Sequence, residues 1–168
     1  MIRRKRKDEF MFAVYLFGFS LLGAVLTICV RRVKGVGRLD ILAGWLLVCG
    51  MGLGGVWAFI GHAFFPAKVA ASIGWATSPF QWEIAWANLA IGTLGLLCAF
   101  FKGRFRLATA IAANVYLLGC AAGHIRQMMT AGNFSVNNAG PILWVGDLAL
   151  PLLTLALVVA GEVQCRAD

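Results

Sequence analysis

The sequence predicts an all-α, polytopic transmembrane helix bundle. Of its 168 residues, 61% are hydrophobic and only 13% are charged, and the mean hydropathy is +0.82. A soluble domain carries about 45–50% apolar and about 25% charged residues, and a compact soluble fold of this length cannot bury such an excess of apolar surface. The composition therefore excludes a soluble enzyme, a secreted disulfide scaffold and a disordered tail.

Apolar runs long enough to cross a bilayer of about 30 Å as helices recur along the whole chain. We predict five spans, at about residues 10–30, 39–61, 83–101, 107–125 and 141–161. Helices are expected because the runs are longer than barrel strands and lack the in–out alternation of a barrel. The spans leave no room for a second domain, so residues 1–168 are predicted to form a single transmembrane domain.

The first run is expected to stay in the protein rather than to be cleaved. It exceeds the length of a signal-peptide apolar core, and Arg31 and Arg32 follow it without a cleavage pattern.

The segment at residues 63–82 is apolar but does not fit a span. Pro66 and Pro79 bracket only about a dozen residues, too few to cross the membrane as a helix. We expect either a re-entrant half-helix or an interfacial helix anchored by Trp75 and Trp82.

The basic loops predict a multi-pass protein of the cell inner (plasma) membrane. Four basic residues follow the first span and three follow the third, so these loops are expected on the cytoplasmic side, against anionic lipid headgroups. The basic run at residues 3–7 conflicts with this orientation of the first span. Three explanations remain open: the first span overrides its flank, which we favour, the segment 63–82 crosses, or the chain inserts both ways as antiparallel dimers.

Ionisable residues at the ends of predicted spans form the candidate site, because charge within a membrane is costly and is usually functional. In an up–down bundle of five spans, His62, Glu83, His124 and Asp147 fall at one membrane face, one from each of four helices. With Asn88 on a small-residue face, they are predicted to line or gate a pathway, and histidine protonation would make it pH-sensitive. Alternatively, the histidines are interfacial residues and Glu83 caps a helix start.

The leading prediction is a small channel or transporter for an ion or small solute, forming a homo-oligomer in the lipid bilayer. A structural or assembly subunit is one alternative. A membrane redox protein is another, with a divalent metal on His62, Glu83, His124 and Asp147, or a haem between the two histidines. The sequence requires no cofactor, contains no catalytic motif and favours transport over an enzyme. Nucleic acid is not an expected partner, because the basic residues lie at membrane edges.

Several short motifs resemble an uncharacterised bacterial family of small integral membrane proteins, a domain of unknown function. The resemblance spans roughly residues 61–155. It rests on Pro79-Phe80-Gln81 with Glu83, Ala87-Asn88-Leu89-Ala90, Leu117-Leu118-Gly119, Gly123-His124-Ile125, Asn138-Ala139-Gly140-Pro141, Trp144, Asp147 and Pro151. It implies a compact helical bundle and no residue roles.

Overall fold

The computed structural model describes residues 12–167 and is 85% helical. The described residues contain no strand, which confirms the predicted all-α class. The helices are α1 (Phe12–Arg31), α2 (Gly37–Phe64), α3 (Pro66–Ile73), α4 (Phe80–Leu97), α5 (Arg104–Ala131), α6 (Val136–Ala139) and α7 (Ile142–Ala149 continuing as Leu150–Ala167). The start of the predicted span 10–30 and the basic run at 3–7 lie outside the described residues.

Four stretches are long and apolar enough to cross a membrane, as expected of a membrane protein: α1, α2, α5 and the combined stretch Val136–Ala167. They correspond to four of the five predicted spans. The remaining span, predicted at 83–101, corresponds to α4, which has 18 residues and is about 27 Å long. Because α4 carries Gln81, Glu83 and Asn88, its mean hydropathy is lower, and a fifth span stays a prediction.

The segment at 63–82 folds as the short helix α3 and a loop. Pro66 occupies the first turn of α3, where its missing N–H costs nothing, and Gly74 ends the helix with a positive φ of 72°. The 8 residues of α3 extend about 12 Å, so this segment does not form a sixth membrane-crossing helix. A short helix, as expected, connects α2 to α4, and whether it is re-entrant or interfacial stays a prediction.

The helices run up and down, which gives the bundle two distinct ends. One end, which we call the basic end, contains the connections 32–36 and 98–103, and Asp40 of α2 pairs there with Arg106 of α5. The other, which we call the α3 end, contains α3, α6 and the connections 74–79 and 132–135. There, Trp75 is hydrogen-bonded to Asn138.

Helices α2 and α4 approach closely through glycines. A Cβ atom on Gly55 would lie 2.7 Å from Cα of Gly92, and one on Gly95 would lie 2.7 Å from the backbone nitrogen of Gly52. Small residues let backbones meet in a membrane, where apolar side chains gain little by leaving lipid. The small face predicted on α4 therefore packs against α2.

Two π-helical segments, Leu46–Leu53 in α2 and Ile142–Ala149 in α7, interrupt otherwise regular helices. In α7 the sequence supplies a reason, because Pro151 has no N–H to continue the ordinary hydrogen-bond pattern. π-helical turns occur often at functional sites. Both segments contribute residues to the cavity described next.

Candidate functional site: a cavity beside Asp147

A cavity of about 110 Å³ lies between α1, α2, α4, α5 and α7. We call it the Asp147 cavity. Its polar lining consists of Asp147 from α7 and Asn88 from α4. The apolar lining consists of Phe12, Ala13, Leu16, Gly50, Met51, Gly54, Gly55, Trp57, Ala58, Ile91, Leu117, Ile142, Gly146 and Leu150.

Asp147 is only 7% exposed. Its Oδ2 atom is buried and has no hydrogen-bond partner among residues 12–167, although an unsatisfied buried polar group usually costs about 1–3 kcal/mol. The nearest basic group is Nε2 of His124, 3.6 Å from Oδ2, which is beyond hydrogen-bonding distance. The carboxylate of Asp147 thus has acceptor capacity that the described part of the chain does not fill.

The orientation of His124 follows from the amide of Asn138. Asn138 Nδ2 donates to the backbone oxygens of His124 at 3.1 Å and Asn133 at 2.8 Å, so its Oδ1 faces the other way. This Oδ1 accepts from Trp75 Nε1 at 3.0 Å and lies 2.9 Å from His124 Nδ1. Since Oδ1 can only accept, Nδ1 of His124 must carry a hydrogen and donate it.

A neutral His124 would therefore present the lone pair of Nε2 to Asp147. With an ionised carboxylate, two acceptors would face each other across 3.6 Å, which is unfavourable in a buried site. One proton, on either Nε2 or Oδ2, turns this repulsion into an attraction. At 3.6 Å the two groups are close enough for their charges to interact but are not hydrogen-bonded to each other.

Helix α3 and Trp75, in the loop after it, pack next to His124 at the α3 end of the bundle. The rings of Trp75 and His124 lie 5.5 Å apart. Asn133 Nδ2 donates to the backbone oxygen of Ile73 at 2.8 Å, and Asn137 Nδ2 donates to Ser72 Oγ at 3.1 Å. Helix α3 is thus hydrogen-bonded to the connection between α5 and α7, and Trp75 after it packs against His124.

Asn88 reaches the cavity from α4. Its Nδ2 donates to Tyr116 Oη at 2.7 Å and to the backbone oxygen of Ile84 at 2.9 Å. Tyr116 and Cys120 of α5 both interact electrostatically with Asp147. Asn88 and Asp147, both predicted site residues, therefore line the same space.

His62 and Glu83 do not join this group, contrary to the prediction of one converging cluster. His62 Nδ1 lies 2.5 Å from Gln81 Oε1, and Gln81 Nε2 donates to the backbone oxygen of Pro66 at 3.2 Å. The side chains of His62 and Gln81 line a separate open cleft of about 390 Å³ at the α3 end.

Glu83 is exposed, and the geometry of α4 explains why. Gln81 and Ala85 are both buried, and they define the inward face at this end of the helix. Glu83 lies two residues from each, which is about 200° around a helix of 3.6 residues per turn. Its carboxylate therefore faces away from the bundle.

The predicted metal and haem sites do not form from these residues. Among residues 12–167, no three His, Cys, Asp or Glu side chains are placed to hold a metal ion together. The two histidine rings belong to separate hydrogen-bond networks, one with Gln81 and one with Asn138. The cleft that His62 lines does not have His124 in its lining, whereas two axial haem ligands must face one gap.

Residues 10–166 match the family model described as a family of unknown function, DUF6790. The chain belongs to the DUF6790 family. This confirms the resemblance to an uncharacterised family, and the match also covers the first helix, which the sequence motifs did not reach. Comparison with curated proteins and with solved structures gives no match.

In this DUF6790 chain, sequence reasoning missed a second polar cluster, at the basic end. Arg106 is 7% exposed, and its Nη1 lies 2.6 Å from Asp40 Oδ1. Its Nε and Nη2 donate to the backbone oxygen of Cys98 at 3.1 and 2.9 Å. The sequence presents Arg106 only as one of the three basic residues after the third predicted span, and no motif around it distinguishes it from its exposed neighbour Arg104.

Proposed function

We propose that this protein moves an ion or small solute across a membrane, and that Asp147 binds it during transport. The observation that carries the proposal is the buried carboxylate of Asp147, which lines an inter-helical cavity and whose Oδ2 lacks a hydrogen-bond partner. An ionisable residue inside a helical bundle is costly and usually marks a substrate or proton pathway.

The surroundings of the cavity support a role in transport. Asp147 lies in a π-helical segment of α7, and Gly50 and Met51 of the π-helical segment in α2 line the same cavity. A site between several helices can be opened toward either side of the membrane by small movements of one helix group against another. The proton shared by His124 and Asp147 would make such transport pH-sensitive.

The test is a flux measurement in proteoliposomes that carry the purified full chain. Candidate ions and solutes would be offered under an imposed proton gradient, and the uptake would be compared with that of empty vesicles. Asp147→Asn should abolish the protein-dependent flux, because the amide keeps the shape but removes the charge.

Glu162→Gln is the matched control. It makes the same carboxylate-to-amide change on the same helix, 15 residues beyond Asp147 in sequence and about 22 Å along the axis. Its flux should equal that of the wild type. Wild-type vesicles indistinguishable from empty ones for every ion and solute offered, or full flux through Asp147→Asn, would refute the proposal.

We further propose that the basic end faces the cytoplasm of a cell with an inner membrane. Arg31, Arg32, Lys34 and Arg38 are all exposed there, where they would meet anionic lipid headgroups. A proteolytic site inserted after Lys34 and cut only from the cytoplasmic side would support this orientation. Cleavage only from the other side would reverse it.

A further inference from the structure

The lining of the Asp147 cavity points to a substrate class. We propose that the cavity binds a small alkylammonium ion at Asp147, and that this cation displaces the proton held by the His124–Asp147 pair. The inference rests on the proposed transport function and names its substrate.

The charge of the cavity favours a cation. Among residues 12–167, Asp147 is the sole acidic or basic side chain that lines it. The titratable groups that face Asp147 from the neighbouring helix, His124, Tyr116 and Cys120, all belong to α5. The lining residues contributed by α1, α2 and α4 carry no ionisable side chain.

The apolar lining favours an organic over an inorganic cation. A metal cation of the Na⁺, K⁺ or Ca²⁺ kind replaces its water shell with several oxygen atoms. Here the side-chain oxygens of the lining are those of Asp147 and Asn88, and the rest of the wall consists of aliphatic and aromatic groups. An ammonium group needs few acceptors, and its alkyl part gains from contact with apolar walls.

The aromatic pair of the cavity supports the same class. Phe12 and Trp57 are stacked with ring centroids 4.9 Å apart, and both line the cavity. The face of an aromatic ring attracts ammonium groups, most strongly when the site is desolvated. Asp147 and Trp57 together would thus hold both the charge and the body of the ligand.

The size of the cavity limits the ligand. The volume of about 110 Å³ accommodates a small ligand with a few non-hydrogen atoms. This corresponds to ammonium ions with one to three carbon atoms. Gly54 and Gly146 line the cavity, and a Cβ on either would meet only an ordinary contact, so the absence of side chains at these two positions leaves space open.

The proton balance follows from the geometry of His124. In the proposed cycle, the pair holds one proton before binding. Its net charge is then zero, whether this proton lies on Nε2 of His124 or on Oδ2 of Asp147. The alkylammonium ion then bonds to the carboxylate of Asp147 through its own N–H groups. The proton of the pair leaves to bulk water, and His124 remains neutral with the hydrogen on Nδ1, bonded to Asn138.

The experiment is equilibrium binding of radiolabelled methylammonium to the purified full chain in detergent, with ethylammonium, Na⁺ and K⁺ as competitors. We expect saturable binding that ethylammonium competes for and that equal concentrations of Na⁺ or K⁺ leave nearly unchanged. Asp147→Asn should weaken binding at least about thirtyfold, and Trp57→Leu about tenfold. Glu162→Gln should bind like the wild type.

A second pair of variants tests the size of the site without touching its charge. A Cβ on Gly146 would meet only Ala13 Cβ at 3.9 Å, which is an ordinary contact, and a Cβ on Gly119 would meet nothing within 4 Å. Gly146→Ala therefore narrows the cavity without a clash. It should weaken ethylammonium binding more than methylammonium binding, whereas Gly119→Ala should change neither.

The outcomes separate this inference from the proposed function. Competition by Na⁺ or K⁺ as strong as that by ethylammonium, or no methylammonium binding in a chain that still transports through Asp147, would overturn the alkylammonium assignment alone. The absence of both binding and Asp147-dependent flux would overturn both. The alkylammonium assignment would also be contradicted if Asp147→Asn still bound methylammonium like the wild type. Unchanged thermal unfolding would show that this variant is folded.

Discussion

Arg106 and Asp40 form an ion pair of 2.6 Å that joins α5 to α2 at the basic end of the bundle. The guanidinium also donates to the backbone oxygens of Asp40, at 2.9 Å, and of Cys98, at the end of α4. Gly44 makes room for it, since a Cβ there would lie 2.9 Å from Nη2. One buried side chain at the start of α5 thus connects this helix to the start of α2 and to the end of α4.

We expect Arg106→Lys to destabilise the protein, because an ammonium group lacks the forked geometry that reaches Cys98 and Asp40 together. Leaving a buried carbonyl unpaired costs about 1–3 kcal/mol. The apparent melting temperature in detergent, followed by intrinsic fluorescence, measures the effect. Arg104→Lys, at an exposed position two residues earlier, should melt like the wild type.

Asp40→Asn should cost less than Arg106→Lys, under about 1 kcal/mol, because solvent screens an ion pair whose acidic partner is 43% exposed. If the three variants at Arg104, Arg106 and Asp40 melt at the same temperature, Arg106 does not connect the helices in the way described.

The glycine contact between α2 and α4 gives a second prediction. A Cβ on Gly92 would lie 2.9 Å from the backbone nitrogen of Val56 and 3.0 Å from the oxygen of Gly52. Backbone atoms cannot move aside as a side-chain tip can, so Gly92→Ala should force the helices apart and cost about 1–3 kcal/mol.

Gly119→Ala is the matched control for Gly92→Ala, since nothing lies within 4 Å of a Cβ at this position of α5. Alanine is the better helix former, so the variant should be neutral or slightly more stable. Equal melting temperatures for the two alanine variants would show that α2 and α4 are not in backbone contact.

Asn138 gives a third prediction, because its buried amide bonds to Trp75, His124 and Asn133 at once. Asn138→Ala leaves these partners without their hydrogen bonds and should cost at least about 2 kcal/mol. The emission of Trp75, obtained by subtracting the spectrum of a Trp75→Phe background, should shift to longer wavelength as the ring loses its anchor.

The neighbouring residue Asn137 provides the comparison for Asn138. It is also buried, but its Nδ2 makes one hydrogen bond, to Ser72, and its Oδ1 has no partner. Asn137→Ala should therefore cost clearly less and leave the emission of Trp75 unchanged. A loss as large as that of Asn138→Ala would argue against Asn138 as the centre of the network.

The helical class and most of the helix positions could be predicted from the sequence, because apolar run length depends only on neighbouring residues. A short helix within 63–82 was also predictable, since Pro66 and Pro79 limit it locally. Asp147 could be chosen as a candidate site residue because an acid within an apolar run is rare and is followed here by Pro151.

The grouping of the site residues could not be predicted from the same information. His62, Glu83 and His124 were all placed at one end of the bundle, but depth along a helix does not fix direction around it. A rotation of about 200° separates Glu83 from the inward face of α4. The partners of His124 are Asn138, in the four-residue helix α6, and Trp75, in the loop after α3. Neither segment is long enough for a periodic pattern to predict its path.

The last prediction concerns pH. If an alkylammonium ion and a proton compete for the His124–Asp147 pair, methylammonium binding should weaken as the pH falls, by at most about tenfold per pH unit for one proton displaced. Unbuffered binding mixtures should show the release of up to one proton per cation bound. His124→Gln should change this pH profile, because the proton loses one of its two acceptors. His62→Gln, which alters the histidine bonded to Gln81 instead, should leave the profile as in the wild type. A profile that is flat in the wild type, or that changes equally in both variants, would exclude proton exchange at this pair.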